Sequence, residues 1–505
     1  MSLLVAASLA APIAYGQERF STTAFVNANV VPMDSERVLE DQTVVIENQR
    51  ITAVGPANEI DIPDGAEAID ADGMYLMPGL ADMHTHLVGL VAGFPGPGQL
   101  TLYLQQGVTT IRSYYGSAEQ LSWRQQVATG DLDGPTILQA GPVLIGIFDP
   151  MMHMRFWTSV VLSPLLIGLG AWFAIRLILR RSGRNTAWKK LRRFMLPSLF
   201  ALALLGYLAV RLNVFETPSP VPYGKFPRNA AQARESVREE AAQGFDFVKV
   251  YDWLPAEAYL AAIDEANRRG IYVVGHLLDE LSVETTFAAG LREAAHVDEF
   301  MEEHMIGEAS PRGGFSEVSF DYGIIPQTVE SARQYGVAVV SNLVTDMVVA
   351  ETLAHPESEL AQPEYDIVPP ATMTSWLSQG RYIDWAGQEG WRSSTQLPFL
   401  EALTRALHNG GVPLLTGTDV GVEGMVPSHI HRELEILVEI GLSPYEALQA
   451  ATTNAGMVVD RMGRDGSFGE VSVGRRADLV LLRENPLSNI SSTRNRVGVM
   501  ARGQW

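Results

Sequence analysis

The chain has 505 residues and a formal net charge of −21, from 37 basic and 58 acidic side chains. This length suits one large domain with a smaller one, or two to three ordinary domains. The acidic balance argues against nucleic acid as a partner, because a duplex is itself densely negative. No cysteine is present, so disulfides and thiolate metal sites are excluded.

The amino terminus, "MSLLVAASLAAPIAYGQE", is a short apolar run bounded by small and then polar residues. It is similar to a secretory signal but lacks the positively charged start of one. We interpret residues 1–17 as a signal-like segment that favours export. A short anchor or a frayed tail is the alternative.

Residues 18–78 alternate apolar and polar side chains between turn residues, which is typical of antiparallel strands. Near the other end of the chain, "GSFGEVSVGRRADLVLLRENPL" and "RVGVMARGQW" show the same pattern. We therefore predict a small β-sandwich domain built from residues 18–78 and 466–505.

Between these ends, short apolar and β-branched runs alternate with helix-like stretches. The runs include "GVTTIRSYY", "GPTILQAGPVLIG", "FDFVKVYDW", "IYVVGHL", "VAVVSNLVTD" and "VPLLTGTD". Helix-like stretches such as "NAAQARESVREEAAQG" and "AEAYLAAIDEANRRG" end at glycine, the usual stop signal. This repetition predicts an α/β fold, a (β/α)8 TIM barrel over residues 79–156 and 216–465.

A basic run interrupts the predicted barrel: residues 176–195 carry eight Lys or Arg and no acidic residue. Uncharged stretches of nineteen residues (157–175) and seventeen residues (194–210) lie on its two sides. As helices they would be about 28 and 26 Å long, close to the hydrocarbon thickness of a bilayer. We predict a two-helix transmembrane hairpin over residues 157–215, inserted after the third barrel strand.

The alternative for this segment is a pair of buried core helices, although a core does not require helices that are apolar on every face.

The positive-inside rule places the basic tip in the cytoplasm. The sequence therefore predicts a multi-pass cell-membrane protein whose main domain is extracytoplasmic or periplasmic.

Candidate metal ligands fall at predicted strand ends. "GLADMHTHL" places His84 and His86 two residues apart, so in a strand both imidazoles project from one face and can bind one ion. Four further residues occupy later strands or their ends: Lys249 in "FVKVY", His276 in "YVVGH", His296 in "LREAAH" and Asp419 in "LLTGTD". Barrel enzymes build their sites at carboxyl-terminal strand ends, so these six residues predict a metal site.

These motifs resemble the metal-dependent amidohydrolase superfamily, specifically its imidazolonepropionase-like and prolidase-like branch. The similarity covers most of the chain outside the hairpin and includes "MPGLADMHTH", "GVTTIRS", "GFDFVKVYDW", "VVGHL", "LLTGTDVG", "HRELEILVEIGLSPYEALQAATTNAG" and "GEVSVGRRADLVLL", in the family's order. The resemblance implies two divalent metal ions. It implies that one is held by His84, His86 and Asp419, that a second is held by His276 and His296, and that a carbamate on Lys249 bridges them.

The implied reaction is hydrolysis of a carbon–nitrogen amide bond. Asp419 would accept a proton from the attacking water and return it to the leaving nitrogen, as general base and then general acid. An unmodified lysine would repel a metal ion, whereas a carbamate on Lys249 supplies two oxygens. We expect Zn²⁺, because imidazole and carboxylate ligands suit it, although they also accept manganese, iron or cobalt.

Two residues are candidate substrate contacts. Tyr251 follows Lys249 by two positions and so shares its face of the strand, where it could hydrogen-bond a substrate carbonyl; packing at the rim is the alternative. His153 either lines the site or lies at the membrane interface.

Other candidates are assigned structural positions. His429 and His431 repeat the HxH spacing, but we predict that they begin the helix after strand eight, where this spacing does not face one ligand. We place Glu299 on a helix surface or at the rim. Ser113 stands where many relatives have Asp.

The insertion point bears on the substrate. Loops that leave strand ends lie on the catalytic face of a barrel, so an anchor there would hold that face towards membrane lipids. We expect an amphiphilic substrate, such as an N-acyl amino acid or another lipid amide. A tethered Xaa-Pro-type dipeptidase or cyclic-amide hydrolase is the alternative, and a non-enzymatic binding protein is a third hypothesis. A homo-oligomer is left open.

Overall fold

The computed structural model describes residues 22–87, 96–146, 224–307, 318–378, 388–422 and 424–505. The predicted signal-like segment 1–17, the predicted hairpin 157–215 and His153 lie outside these ranges. None of the helices within them combines the length and the apolar composition that a membrane span requires.

The described chain is an α/β structure. Its strands are β1 (Thr23–Val30), β2 (Leu39–Glu47), β3 (Arg50–Pro56), β4 (Glu67–Asp70), β5 (Tyr75–Pro78), β6 (Leu80–Thr85), β7 (Val108–Ser113), β8 (Thr136–Gln139), β9 (Val143–Leu144), β10 (Gly224–Lys225), β11 (Phe247–Val250), β12 (Tyr272–Gly275), β13 (Glu293–Ala294), β14 (Met305–Ile306), β15 (Ser319–Phe320), β16 (Ala338–Val340), β17 (Leu414–Leu415), β18 (Leu479–Leu482) and β19 (Arg496–Met500). Its α-helices are α1 (Leu100–Gln105), α2 (Ala118–Thr129), α3 (Ala230–Gln243), α4 (Ala256–Arg268), α5 (Val283–Ala289), α6 (Met301–His304), α7 (Ile325–Tyr335), α8 (Leu343–Ala354), α9 (Pro356–Glu359), α10 (Pro370–Ser378), α11 (Glu389–Trp391), α12 (Leu397–Asn409), α13 (His429–Glu439), α14 (Pro444–Ala451) and α15 (Thr453–Arg461).

One sheet is built from both ends of the chain, in the order β19-β18-β5-β1-β2-β3, with β4 beside β1. Strand β18 pairs antiparallel with β5, where Val480 lies opposite Met77. Phe25, Val44 and Leu479 are buried in its core. Where we predicted a β-sandwich, the described strands form a single sheet, because β5 and β18 hydrogen-bond directly and do not face each other across a core.

Parallel strands carry the candidate site. They form two sheets, β6-β7-β8 and β10-β9-β11-β12-β13-β16-β17. Two isolated bridges link these sheets: Ala140, just after β8, pairs with Phe247 of β11, and Thr85 of β6 pairs with Val420, after β17. The strands β6, β7, β8, β11, β12, β13, β16 and β17 therefore follow one another in closed order, and we call this set the strand ring.

Helices return the chain between ring strands. Asn229 begins α3 by accepting a hydrogen bond from the Gln232 amide at 3.0 Å, and Gly244 ends it with a positive φ of 80°. Only glycine adopts that conformation without strain, which explains why the predicted stop is correct. Ala233 and Val237 of this helix are buried in the core beside the ring strands. Such crossovers bring the carboxyl ends of the ring strands to one edge.

The predicted strand in "VAVVSNLVTD" is shorter than its apolar run. Strand β16 ends at Val340, and helix α8 begins at Leu343. Asn342 lies between them with a left-handed φ of 50°, which turns the backbone out of the strand. The residues LVTD are therefore helical. The strand prediction was wrong for them because it followed their branched side chains, which are typical of strands.

The described residues on either side of 147–223 lie close together. Strand β10 pairs with β9, and Leu144 of β9 pairs with Val250 of β11, the strand that carries Lys249. Gly146 packs against the backbone of Trp253 so closely that a Cβ there would lie 1.5 Å from its carbonyl oxygen. The chain thus leaves and re-enters the described structure beside the carboxyl end of β11.

Candidate metal centre

The first ligand group combines both ends of the strand ring. His84 and His86 lie at the end of β6, and Asp419 follows β17. The Asp419 Oδ1 atom lies 2.7 Å from Nε2 of His86 and 3.3 Å from Nε2 of His84. Nδ1 of His84 donates to the Ala295 carbonyl at 2.8 Å, so its Nε2 carries a lone pair towards Asp419. A metal ion or a proton between these atoms would relieve the contact of two acceptors, and the three side chains together could hold an ion.

The second group follows β12 and β13. Glu299 Oε1 lies 3.0 Å from Nδ1 of His276 and 3.2 Å from Nδ1 of His296. The ligand atoms of these three residues lie within 4.8 Å of one another, as do those of the first group. Glu299 can complete a three-ligand site, or it can orient both rings while their Nε2 atoms bind an ion.

Lys249 is a buried basic residue that lines this cavity. Its side chain lies in β11 with 1 % exposure, and its Nζ has no hydrogen-bond partner among the described residues. The Nζ atom lies 4.8 Å from the ring centroid of Tyr114. Burial lowers the pKa of Lys249 to about 8, which increases the fraction of neutral amine, the form that adds carbon dioxide. A carbamate at this position would present two oxygens to neighbouring cations.

The protonation of the other groups also suits cation binding. Burial lowers the pKa of His84 and His86, which keeps both rings neutral, as metal ligands must be. Burial alone would raise the pKa of Asp419, but His84 and His86 hold it well below its usual range. Burial alone would lower the pKa of His296, yet Asp298 raises it to about 9, so an ion bound there would displace a proton.

A buried carboxylate positions the first group. Asp82 of β6 accepts hydrogen bonds from the amides of His84 and Thr418, both at 3.2 Å, and from the Thr418 hydroxyl at 2.5 Å. It therefore ties β6 to the turn before Asp419. That turn holds Asp419 at a left-handed φ of 49°, a conformation that costs a non-glycine residue free energy and is typical of functional sites.

A second buried network lies beneath the ligands. The guanidinium of Arg112 in β7 forms a fork with Glu293 of β13, with Nη1 2.9 Å from Oε2. The Tyr114 hydroxyl donates to Glu293 at 2.8 Å, and the Tyr114 ring stacks on His84 at 3.9 Å between centroids. Arg112 also donates from Nε to the Met83 carbonyl at 2.9 Å. This network fixes three ring strands relative to His84.

The two groups open into one cavity of about 390 Å³. Beyond the candidate ligands, most of its lining is polar or charged and includes Asp252, Asp279, Glu302, Asn342, Asp346 and Arg392. Trp253 contributes an apolar surface at 40 % exposure. The cavity is therefore suited to a small polar or charged molecule.

All six residues that the sequence predicted as ligands line this cavity, and so does Tyr251, whose ring centroid lies 3.7 Å from that of His276. The prediction for the second HxH pair is confirmed: His429 and His431 begin α13 and are not part of the centre. There, His431 faces Thr493 and Arg496 at 3.0 and 2.7 Å.

Glu299 and Ser113 both make polar contacts near the centre. Glu299 does not lie on a helix surface but against His276 and His296, because the 3-10 turn Val297–Phe300 places it on their side. Its spacing of three residues after His296 is the signal that was available in the sequence. Ser113 accepts a hydrogen bond from the Leu87 amide and donates to the Tyr115 carbonyl, both at 3.2 Å.

Sequence reasoning missed the cavity wall formed by Asn342, Asp346 and Arg392. "SNLVTD" directly follows a ring strand, which could have indicated Asn342. Arg392 has no comparable signal, because it comes from a segment about fifty residues later that only the tertiary fold brings to the cavity.

The sequence of this chain is similar to that of known proteins. A family model described as "Amidohydrolase family" matches residues 222–505. Imidazolonepropionase from Rhizobium rhizogenes is 41 % identical over 66 residues, which cover 13 % of this chain and 16 % of that protein. The alignment thus spans only about a sixth of the curated relative's length.

Solved structures share the fold over nearly the whole chain. A Xaa-Pro dipeptidase with methionine bound in its active site superposes with a TM-score of 0.63 at 18 % identity, covering 96 % of this chain and 99 % of that one. Ochratoxinase from A. niger gives a TM-score of 0.60 at 16 % identity, with 96 % and 95 % of the two chains covered.

Proposed function

Because this chain belongs to the amidohydrolase family, we propose that it is a metal-dependent hydrolase that cleaves a carbon–nitrogen amide bond. The observation that carries the proposal is the placement of buried Lys249 in one cavity with two groups of three ligand residues. The proposed ligands are His84, His86 and Asp419 for one ion, and His276, His296 and Glu299 for the other. A carbamate on Lys249 would join them.

Two divalent ions at these positions would polarise a substrate carbonyl and lower the pKa of a water molecule. We propose Zn²⁺, because imidazole nitrogen and carboxylate oxygen suit it. Asp419 takes the proton of the attacking water. Its low pKa keeps it ionised and able to accept, and the same carboxyl then donates to the leaving nitrogen. Tyr251 is proposed to hydrogen-bond the carbonyl oxygen.

The strand ring is proposed to be a (β/α)8 barrel. Its support is the closed order of eight parallel strands, with bridges at both joins between the sheets. In such a barrel the catalytic groups lie at the carboxyl ends of the strands, which is the position of His84, Lys249 and Asp419 here.

The substrate proposed is a small amide with charged groups, such as a dipeptide. The charged lining supports it, because carboxylates and a guanidinium around an acyl chain would be desolvated without compensation. The similar Xaa-Pro dipeptidase that holds methionine in its active site is in accord with this substrate class.

An amphiphilic amide, such as an N-acyl amino acid or another lipid amide, is the second candidate. Trp253 supports it, since this exposed indole lies at the cavity beside the point where residues 147–223 begin. Residues 157–215 are proposed, from their sequence, to anchor the enzyme in the cell membrane with the catalytic domain outside the cytoplasm.

The test is turnover by the metal-loaded full chain on two substrate series: dipeptides with varied second residues, and N-acyl amino acids of increasing acyl length. We expect release of a free amino acid, with the dipeptides hydrolysed faster. Asp419→Asn should lower kcat by about 10²- to 10⁴-fold, because it removes the general base. Rates that rise with acyl length would favour the amphiphilic candidate, and a metal-loaded chain inert on both series would contradict the proposal.

A further inference from the structure

One wall of the cavity has polar groups that neither the ligand set nor the proton transfer uses. It is formed by Asn342 after β16, by Thr345 and Asp346 in the first turns of α8, and by Arg392 and Gln396 just before α12. Asn342, Asp346 and Arg392 line the same cavity as the candidate ligands, so a substrate bound there can reach all three.

Asn342 is the most informative of these residues. Its side chain is 2 % exposed, and neither its Oδ1 nor its Nδ2 has a hydrogen-bond partner among the described residues. Its backbone has a left-handed φ of 50°. A buried amide with both atoms unpaired is unfavourable, and a strained backbone adds to that penalty, unless a ligand supplies the missing partners.

Arg392 brings a positive charge to the same wall. It is 8 % exposed, and its Nη1 donates to Gln396 Oε1 at 3.0 Å and lies 3.5 Å from Asp346 Oδ1. Gln396 Nε2 donates to that same Asp346 oxygen at 2.8 Å. Arg392 therefore places a guanidinium on the cavity wall, where an anionic group of a bound molecule can pair with it.

The wall adjoins the group that protonates the leaving nitrogen. The Asn342 side chain packs against Gly417. A Cβ atom added to Gly417 would lie 2.4 Å from Oδ1 of Asn342 and 2.7 Å from Cβ of His84. Thr345 donates to the Thr418 carbonyl at 3.4 Å. Asn342 and Thr345 are thus next to the turn that holds Asp419. Because Asp419 is proposed to protonate the leaving nitrogen, we place the half of the substrate that leaves as an amine on this side.

We infer that Asn342 and Arg392 bind the carboxylate of the amino acid whose nitrogen is released, and so select amides with a free carboxylate next to the scissile bond. The α-carboxylate of an amino acid is two bonds from its nitrogen, which suits a subsite adjoining Asp419. The loops after β12 and β13 contribute Asp279 and Glu302, which would repel an anion there. This inference rests on the proposed function. Dipeptides and N-acyl amino acids both carry such a carboxylate, whereas a lipid amide without one would not be selected.

Binding of the released product tests the inference separately from turnover. The probes are a panel of free L-amino acids and the matching L-amino acid amides, titrated calorimetrically into the metal-loaded full chain. We expect at least one amino acid to bind the unaltered chain about ten- to hundredfold more tightly than its amide, as a charge-assisted contact provides. Arg392→Gln and Asn342→Ala should remove most of that preference, whereas Arg392→Lys should keep part of it.

The matched control is Arg333→Gln, an exposed arginine paired with Glu330 away from the cavity, which should leave the preference unchanged. Thermal unfolding of each variant checks that it is folded. Equal binding of acids and amides by the unaltered chain, or a preference that survives in both Arg392→Gln and Asn342→Ala, would overturn the inference. A clear acid preference in a chain that hydrolyses no amide would contradict the proposed function alone.

Discussion

Single residues at the centre divide into proposed metal ligands and residues that orient those ligands. His84 and His86 offer nitrogen atoms to Asp419, whereas Glu299 faces Nδ1 of both His276 and His296. A carboxylate that faces Nδ1 of a metal-binding histidine fixes the orientation of the ring and raises the basicity of its other nitrogen. Glu299 therefore bears on metal affinity whether or not it touches an ion.

Glu299→Gln is expected to lower the affinity of the second ion by about 10- to 100-fold, because the amide is neutral and accepts from the two rings less strongly. Zinc titration of metal-stripped protein, followed by a competing chelator dye, measures this. The matched control is Glu302→Gln, which removes the same charge from the same cavity without a ligand contact. Equal losses in both variants would show that only overall charge matters.

The sequence predicts the ligands better than it predicts the walls. His84 and His86 are recognisable because residues two positions apart in a strand point to the same face, whatever surrounds the strand. Asn342 and Arg392 gain their roles from a left-handed turn and from a distant segment, and neither follows from local periodicity. Glu299 depends on a short 3-10 turn whose phase the sequence does not specify.

At the scale of elements, the strand ring depends on a buried ion pair. Arg112 and Glu293 have no solvent exposure, and they connect β7 and β13 beneath His84. Buried pairs stabilise little when complete, but removal of one partner leaves an uncompensated charge. Other elements show which features the sequence predicts. The prediction that Gly244 ends α3 is correct because a helix stop depends on local sequence. The single sheet of the two chain ends was not predicted, because it depends on pairing between strands far apart in the chain.

Glu293→Gln should lower the free energy of unfolding by about 3–5 kcal/mol, because Arg112 would remain buried and charged. Urea unfolding followed by circular dichroism measures the change. Glu330→Gln breaks an exposed pair with Arg333 and should change stability by less than about 1 kcal/mol. If the two variants lose equal stability, the network does not support the ring.

At the scale of the whole molecule, charge and burial make stability depend on pH. Glu240 of α3 is 1 % exposed, with Lys225 Nζ at 3.8 Å, and burial raises its pKa to about 8. In the unfolded chain its pKa is about 4.3. Between these values the unfolded chain has released the proton and the folded chain retains it, so stability falls as pH rises.

Glu240→Gln should remove this contribution. Relative to the unaltered chain, the variant is expected to gain about 3–4 kcal/mol of unfolding free energy between about pH 5 and pH 8, because each pH unit contributes up to about 1.4 kcal/mol. Thermal or urea unfolding at several pH values measures it. Glu235→Gln, on the exposed side of the same helix, is the control and should follow the unaltered chain. A parallel pH dependence in Glu240→Gln would contradict the assignment.

Membrane attachment is a second property that we predict for the whole molecule, from the sequence of residues 157–215. Replacement of residues 157–215 by a short Gly/Ser linker should leave the described structure intact, because β9 and β10 pair and bring both sides of the insertion together. We expect the unaltered chain in the membrane fraction and the linker variant in the supernatant, by ultracentrifugation after lysis without detergent. Recovery of the unaltered chain in the supernatant would contradict the predicted hairpin.

We propose that two ligand groups and a modified Lys249 hold two divalent ions. The metal content of purified protein reconstituted with zinc and bicarbonate, measured alongside Lys249→Ala, tests this directly. We expect two ions per chain, one for each ligand group, and a loss of both metal and amide hydrolysis in the variant. One ion or none in the unaltered chain, or full metal and activity in Lys249→Ala, would contradict it.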